Sequence, residues 1–144
     1  AKIIFLGDGP EIKNVKKIAK SLRLLNNVDF IGNVHDIRPY FSKSNILLHT
    51  ANYEPFGLVL LEAMASGIPV ITLDGKGNRD FINKKNGILI FEENPKIFSE
   101  RIIEVFENKE KYQMLSRNGK VTAKEFDIKK YVDDLMKVYL TATK

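Results

Sequence analysis

The chain has 144 residues, with 44% hydrophobic and 28% charged residues, 23 basic against 18 acidic side chains and no cysteine. That balance excludes gross disorder and collagen-like sequence, and the missing cysteines exclude disulfides, thiolate nucleophiles and Cys-based metal sites. No apolar run approaches the ~20 residues needed to span a bilayer, and the apolar block at the start is too short for a signal peptide.

Lys2-Ile3-Ile4-Phe5-Leu6 reads as a buried strand closed by the turn Gly7-Asp8-Gly9-Pro10. Ile12, Val15, Ile18, Ala19, Leu22 and Leu25 then recur at helical spacing, and Asn26-Asn27 is the expected stop. Val28–Ile31 is a second strand ending at Gly32, followed by a short helix around Asp36–Phe41 and a third strand, Asn45–His49. Leu58–Ser66 is a very apolar helix closed by Gly67, Pro69–Leu73 a fourth strand, and a short helix near Arg79–Asn83 leads to a fifth strand, Gly87–Phe91. From Pro95 onward the pattern is helical: Phe98, Ile102, Val105 and Phe106 share one face, and Tyr131, Leu135, Val138 and Tyr139 mark the last helix. Short continuous apolar strands alternating with helices imply a Rossmann-like parallel sheet with helices on both faces, ending in helices. One domain over residues 1–144 is expected, as a piece of a longer chain.

Residues 1–108 hold 14 basic and 13 acidic side chains, and residues 109–144 hold 9 and 5. The net charge of +5 therefore sits mostly on the last helices, from Lys109 to Lys144. No nucleic-acid-binding motif accompanies these lysines, so nucleic acid is not an expected partner. His35 reads as a surface-loop residue, and His49, at a strand end, as a packed or hydrogen-bonded one.

Ligands of open parallel sheets bind at the carboxyl ends of the strands. Gly7-Asp8-Gly9 lies there but fails the G-x-G-x-x-G pattern, because Ile12 stands where the third glycine belongs. The run from Asn52 to Gly67 says more. Glu62 sits between Leu61 and Ala63 in an apolar helix, and a buried carboxylate must be paired or meet a polar ligand. Two readings stand: a salt bridge to a lysine of a neighbouring helix, or a ligand contact. Gly57 precedes the helix, whose free N-terminal amides favour phosphate. Glu54 stands just ahead, and Glu62 lies about 6 Å along the helix. Carboxylates flanking an anion site suit a ligand with hydroxyls at both ends and a diphosphate between, the layout of a nucleotide sugar.

Glu54-Pro55-Phe56-Gly57 through Glu62, continued by Ala63-Met64-Ala65-Ser66-Gly67-Ile68-Pro69-Val70, resembles the E-x7-E motif of retaining glycosyltransferases of family 4, with GT-B architecture. Phe5–Pro10, Phe30–Val34 and Asn86–Ile90 also resemble the family's C-terminal, nucleotide-sugar-binding domain. The resemblance implies that Glu54 contacts the donor hexose and serves as the catalytic carboxylate, with Phe56 and Gly57 beside the sugar. It implies that Gly57 and Leu58 hold the diphosphate, that Glu62 binds the ribose, and that Gly32, Val34 and Arg38 line the base pocket. The implied reaction is metal-independent transfer of a hexose-type sugar, without a cofactor, from a nucleotide sugar (a UDP-sugar foremost) to a glycan or lipid-linked acceptor in polysaccharide, capsule or cell-envelope synthesis. A cytoplasmic location with peripheral contact at the inner membrane face is implied as well.

The acceptor-binding N-terminal domain and the first strand of the C-terminal domain are expected to be missing, with the basic residues that neutralise the diphosphate, so this stretch is expected to be inactive alone. Where the family often has G-G-x-P-E, this chain has Gly75-Lys76-Gly77-Asn78-Arg79-Asp80, with Lys76 and Arg79 as substitute cations and Asp80 a loop or cap residue. The alternative is a non-enzymatic, flavodoxin-like interaction domain that binds a partner through its basic C-terminal helices.

Overall fold

The computed structural model describes residues 1–142; Lys144, the last of the basic run, lies outside them. The chain divides into two compact units, Ala1–Pro39 and Tyr40 onward.

In the first unit β1 (Ile3–Leu6) pairs in parallel with β2 (Val28–Gly32), Ile3 opposite Val28 and Phe5 opposite Phe30. The last two rings stack with centroids 5.2 Å apart. Between the strands runs α1 (Ile12–Ser21). This helix stops well short of Asn26-Asn27. Arg23 adopts φ 57°, its amide bonds Lys20 O at 3.0 Å, and the Leu24 amide bonds Ala19 O at 2.8 Å. That is a Schellman closure with arginine where glycine is usual, and the asparagines instead end a 3-10 turn at Leu25–Asn27. A short helix α2 (Arg38–Phe41) carries the chain across the division between the units.

The second unit holds a three-stranded parallel sheet in the order β3 (Leu47–His49), β4 (Val70–Leu73), β5 (Ile88–Ile90). The expected strands thus exist and pair in parallel, in two sheets rather than one. All four residues of β4 are buried, so helices cover both faces of that strand. Ile71, Leu73 and Ile90 pack with Val105 of α4 (Pro95–Glu107) and Leu115 of α5 (Lys109–Glu125). Each such side chain contributes about 2 kcal/mol of burial. The helix α3 (Leu58–Ala65) packs on α5, where a Cβ at Gly119 would lie only 3.2 Å from Met64 Cγ. Gly67, at φ 79°, closes α3 with the same Schellman pattern as α1: its amide bonds Met64 O, and that of Ile68 bonds Ala63 O.

Asn94 and Asn108 cap α4 and α5, their Oδ1 atoms accepting from Lys96 N at 3.0 Å and Lys111 N at 2.8 Å. Asn108→Ala is expected to lower stability by about 1 kcal/mol. A urea midpoint shifted downward with an unchanged slope is the expected result, and an unshifted midpoint contradicts the cap. The last helix, α6 (Ile128–Ala142), has no fully buried side chain among the described residues. Phe106, expected to share the buried face of α4, is 53% exposed, while Val105 takes the core position. The short helix expected near Arg79–Asn83 is a 3-10 turn at Gly77–Asp80.

Candidate functional site

The segment from His49 to α3 carries the motif residues. Gly57 is the N-cap of α3 with φ 101°, a left-handed conformation that glycine alone adopts without strain, and a Cβ there would meet Leu60 Cδ1 at 2.8 Å. Its carbonyl accepts from the amides of Leu60 and Leu61 at 3.0 and 3.3 Å. The amides of Gly57, Leu58 and Val59 have no acceptor among the described residues, and no side chain caps the helix. Three open N–H groups at the positive end of the helix dipole form a surface suited to an anion.

Backbone contacts fix the approach to this end. Glu54 N donates to Gly75 O at 2.8 Å, and Gly77 N donates to Glu54 O at 3.0 Å, a parallel bridge between Glu54 and Lys76. The loop comes so close that an added Cβ on Gly75 would lie 2.7 Å from Glu54 N. Beneath it Asn78 is fully buried. Its Oδ1 accepts from Gly75 N at 3.0 Å, and its Nδ2 donates to Thr72 Oγ1 at 3.0 Å and Leu73 O at 2.8 Å.

The Glu54 carboxylate is held at both oxygens. Oε1 accepts from Phe56 N at 3.3 Å, and Oε2 lies 3.2 Å from His49 Nε2. Phe56 gives its amide to Glu54 and its ring to an aromatic cluster with Phe81 and Phe126, at centroid distances of 5.6 and 5.8 Å.

Glu62 differs from its expectation. It is exposed, not buried, and makes no ion pair with any described residue. Leu61 and Ala63 are its neighbours in sequence but point about 100° to either side of it around the helix. Its neighbours in space are Leu58, one turn earlier, and Ala65, both exposed, so Glu62 and Leu58 share the open face of α3. Both earlier readings assumed burial. The salt bridge is absent, and what remains is an unengaged carboxylate on the face that begins at the open amides.

Arg79 grips Asp74, with Nε donating to Oδ1 at 3.0 Å, and this guanidinium holds the Asp74 carboxyl below the usual carboxylate range. Arg79 is thereby committed to Asp74, whereas the Lys76 ammonium forms no salt bridge among the described residues and acts on Asp74 only from a distance. Lys76 sits at φ 76°, a strained conformation for a residue with a side chain. Asp80 is exposed at the end of the 3-10 turn.

The other expected positions lie in the first unit. Gly32 adopts φ 84°, and its carbonyl accepts from Gly7 N at 2.7 Å. Val34 is half-buried, and His35 is exposed as expected. Arg38 forms a two-pronged pair with Asp36, Nε to Oδ1 at 2.8 Å and a terminal nitrogen to Oδ2 at 3.0 Å, which lowers the Asp36 pKa.

Two features escaped sequence reasoning. Asn78 looked like one more polar loop residue, and the pairing of His49 with Glu54 crosses a loop that no helix or strand period describes. The one available signal was the place of His49 at the carboxyl end of a strand.

Comparison with known proteins adds the following. Residues 1–122 match the family described as glycosyl transferases group 1. The poly(glycerol-phosphate) alpha-glucosyltransferase of Bacillus subtilis is 27% identical over 136 residues, 93% of this chain and 20% of that protein. The crystal structure of Anabaena HepE in complex with UDP-glucose superposes with a TM-score of 0.90 at 25% identity, over 97% of this chain and 41% of that one. The C-terminal domain of a glycosyl transferase group 1 protein from Francisella tularensis superposes with a TM-score of 0.73 at 22% identity, over 83% of this chain and 66% of that one. The chain spans 19% to 39% of the length of the curated relatives it matches.

Proposed function

Because the chain belongs to the glycosyl transferases group 1 family, we propose that it is the donor-binding part of a retaining, metal-independent glycosyltransferase of the family 4 type. The whole enzyme transfers a hexose-type sugar from a UDP-sugar to a glycan or lipid-linked acceptor in polysaccharide or cell-envelope synthesis. The observation that carries this reading is the bare N-terminus of α3, with the clasped Glu54 before it and Glu62 on its open face. The HepE complex supports UDP-glucose as the donor class, and the Bacillus subtilis relative supports a polymer acceptor.

In this reading the amides of Gly57 and Leu58 take the diphosphate. They stabilise its growing negative charge as the anomeric bond breaks, because fixed dipoles need no reorganisation at that moment. Glu54, beside Phe56 and Gly57, accepts hydroxyls of the hexose and is the catalytic carboxylate, and Glu62 accepts hydroxyls of the ribose. The base contact at Gly32, Val34 and Arg38 belongs to the first unit and is proposed on the sequence resemblance alone. So are the absence of a cofactor, a single donor-binding domain over residues 1–144, an acceptor domain elsewhere in the protein, and a cytoplasmic location with peripheral contact at the inner membrane face. No helix among the described residues is long and apolar enough to cross a membrane. The alternative, a partner-binding domain acting through its basic C-terminal helices, is not favoured. Two of those lysines, Lys111 and Lys137, already pair with Glu104 and Asp134.

Calorimetry on the full-length protein tests the reading. UDP is expected to bind, and Glu62→Ala to weaken it at least about tenfold, the loss of hydroxyls bonded to a charged acceptor. Wild-type protein that binds neither UDP, GDP nor ADP would overturn it.

A further inference from the structure

The proposed role of Glu54 leaves one side chain at the site unexplained. His49 ends β3 with its ring between two oxygens: Nε2 is 3.2 Å from Glu54 Oε2, and Nδ1 is 3.3 Å from Thr72 Oγ1. Both members of the His49–Glu54 pair are about four-fifths shielded, at 17% and 20% side-chain exposure. Thr72 is fully buried, and its hydroxyl lies 2.9 Å from Leu73 O while accepting from Asn78 Nδ2 at 3.0 Å.

This network decides where the ring protons sit. A bare Nε2 facing a carboxylate would set lone pair against lone pair, so Nε2 must carry a proton. If the Thr72 hydroxyl keeps its proton on Leu73 O, then Nδ1 also donates and the ring is an imidazolium. If the hydroxyl turns to Nδ1, the ring is the neutral Nε2–H form. In either arrangement Nε2–H donates to Glu54.

Resting on the reading of Glu54 as the sugar-contacting carboxylate, we propose that His49 is its positioning residue. Its Nε2–H fixes Oε2 while Phe56 N–H fixes Oε1, so the remaining lone pairs present one orientation to the hydroxyls of the donor hexose. Each oxygen accepts one internal donor and keeps capacity for another. Left with the Phe56 amide alone, the carboxylate would sample several rotamers and bind the hexose less well. The diphosphate and ribose contacts would be untouched, because they belong to α3.

Two measurements on the full-length protein test this. In the first, nitrogen-15 NMR of labelled histidine reads the protonated ring nitrogen directly, with the His49 signal assigned by its loss in His49→Gln and exposed His35 as an internal reference. The expected result is a proton on His49 Nε2 in the wild type, with an Nε2 signal that moves in Glu54→Ala while that of His35 stays. A bare Nε2 in the wild type, or no change in Glu54→Ala, overturns the proposal.

In the second, UDP and UDP-glucose are titrated into wild type, His49→Gln and His49→Asn, and the donor KM and kcat are compared. A glutamine amide reaches the place of Nε2, an asparagine amide only that of Nδ1. His49→Asn is expected to lose about tenfold in UDP-glucose affinity and to raise KM alike, with UDP affinity within twofold of wild type, and His49→Gln to recover most of the loss. Unchanged UDP-glucose binding in His49→Asn overturns the proposal, and so does an equal loss of UDP and UDP-glucose binding in both variants, the mark of a packing role. A wild type that binds no nucleotide at all overturns the proposed function instead, and the NMR signal still judges the pairing.

Discussion

Gly77→Ala is expected to destabilise the protein by about 3 kcal/mol, the upper end of what overpacking costs, and to abolish most of its affinity for UDP-glucose. The added Cβ would overlap the Pro55 carbonyl and sit 2.6 Å from Glu54 O. These are backbone atoms, with no flexible side chain to swing aside. Relief requires the 75–77 loop to lift from the 54–55 segment, which breaks the bond from Gly77 N to Glu54 O and frees the carboxylate that precedes α3. Gly9→Ala is the control: nothing lies within 4 Å of its Cβ position, so its stability is expected to stay within about 0.5 kcal/mol of wild type. Urea unfolding of the two variants checks this. A Gly77→Ala protein with the wild-type midpoint would show that the loop is not closed on Glu54.

The second large effect is expected at Asn78. Asn78→Ala removes one acceptor and two donors from a fully buried position, stranding Gly75 N–H and leaving Thr72 Oγ1 and Leu73 O short of a donor. A buried group left unpaired costs about 1–3 kcal/mol. Because Leu73 O and Thr72 Oγ1 keep partners in each other, the expected total is about 3 kcal/mol. Asn78→Asp keeps the acceptor for Gly75 but places an ionised carboxylate against two oxygens, so at neutral pH it is expected to be no more stable than the alanine variant. Thermal unfolding of both variants measures the ranking. Wild-type stability in either would mean that the network is not what supports the loop.

The sequence made the fold legible wherever local chemistry and tertiary demand agree. Val70–Leu73 reads as a strand buried on both faces because all four side chains are suited to that surroundings, and it is one. Gly57 and Gly67 bracket α3 because each stands at a positive φ that other residues resist. The end of α1 is illegible for the converse reason. Arg23 takes a left-handed conformation with no glycine to announce it, so the sequence points to the next polar pair instead. The burial of Glu62 was inferred from its sequence neighbours, and an almost wholly apolar helix offers no periodic contrast to reveal which face is open. Leu58, 68% exposed, would have read as core on composition alone. The motif places Glu54, Gly57 and Glu62 on one segment with the Phe56 amide, but the other partners of Glu54 are His49 at the end of β3 and the loop after β4, which the pairing of β3 with β4 brings to it.

The backbone part of the clasp on Glu54 consists of amide hydrogens and carbonyl oxygens, groups that every residue type except proline carries in full. Its grip depends on how near the two strands of chain can come, which the absent side chains of Gly75 and Gly77 decide, and not on any contact from the side chain at position 76 between them. That side chain can therefore be exchanged within the limits that a φ of 76° sets, which favour glycine or asparagine, whereas both neighbours must lack a Cβ. An exchange such as Lys76→Asn alters the charge presented to an arriving molecule while the scaffold that aims the carboxylate stays in place.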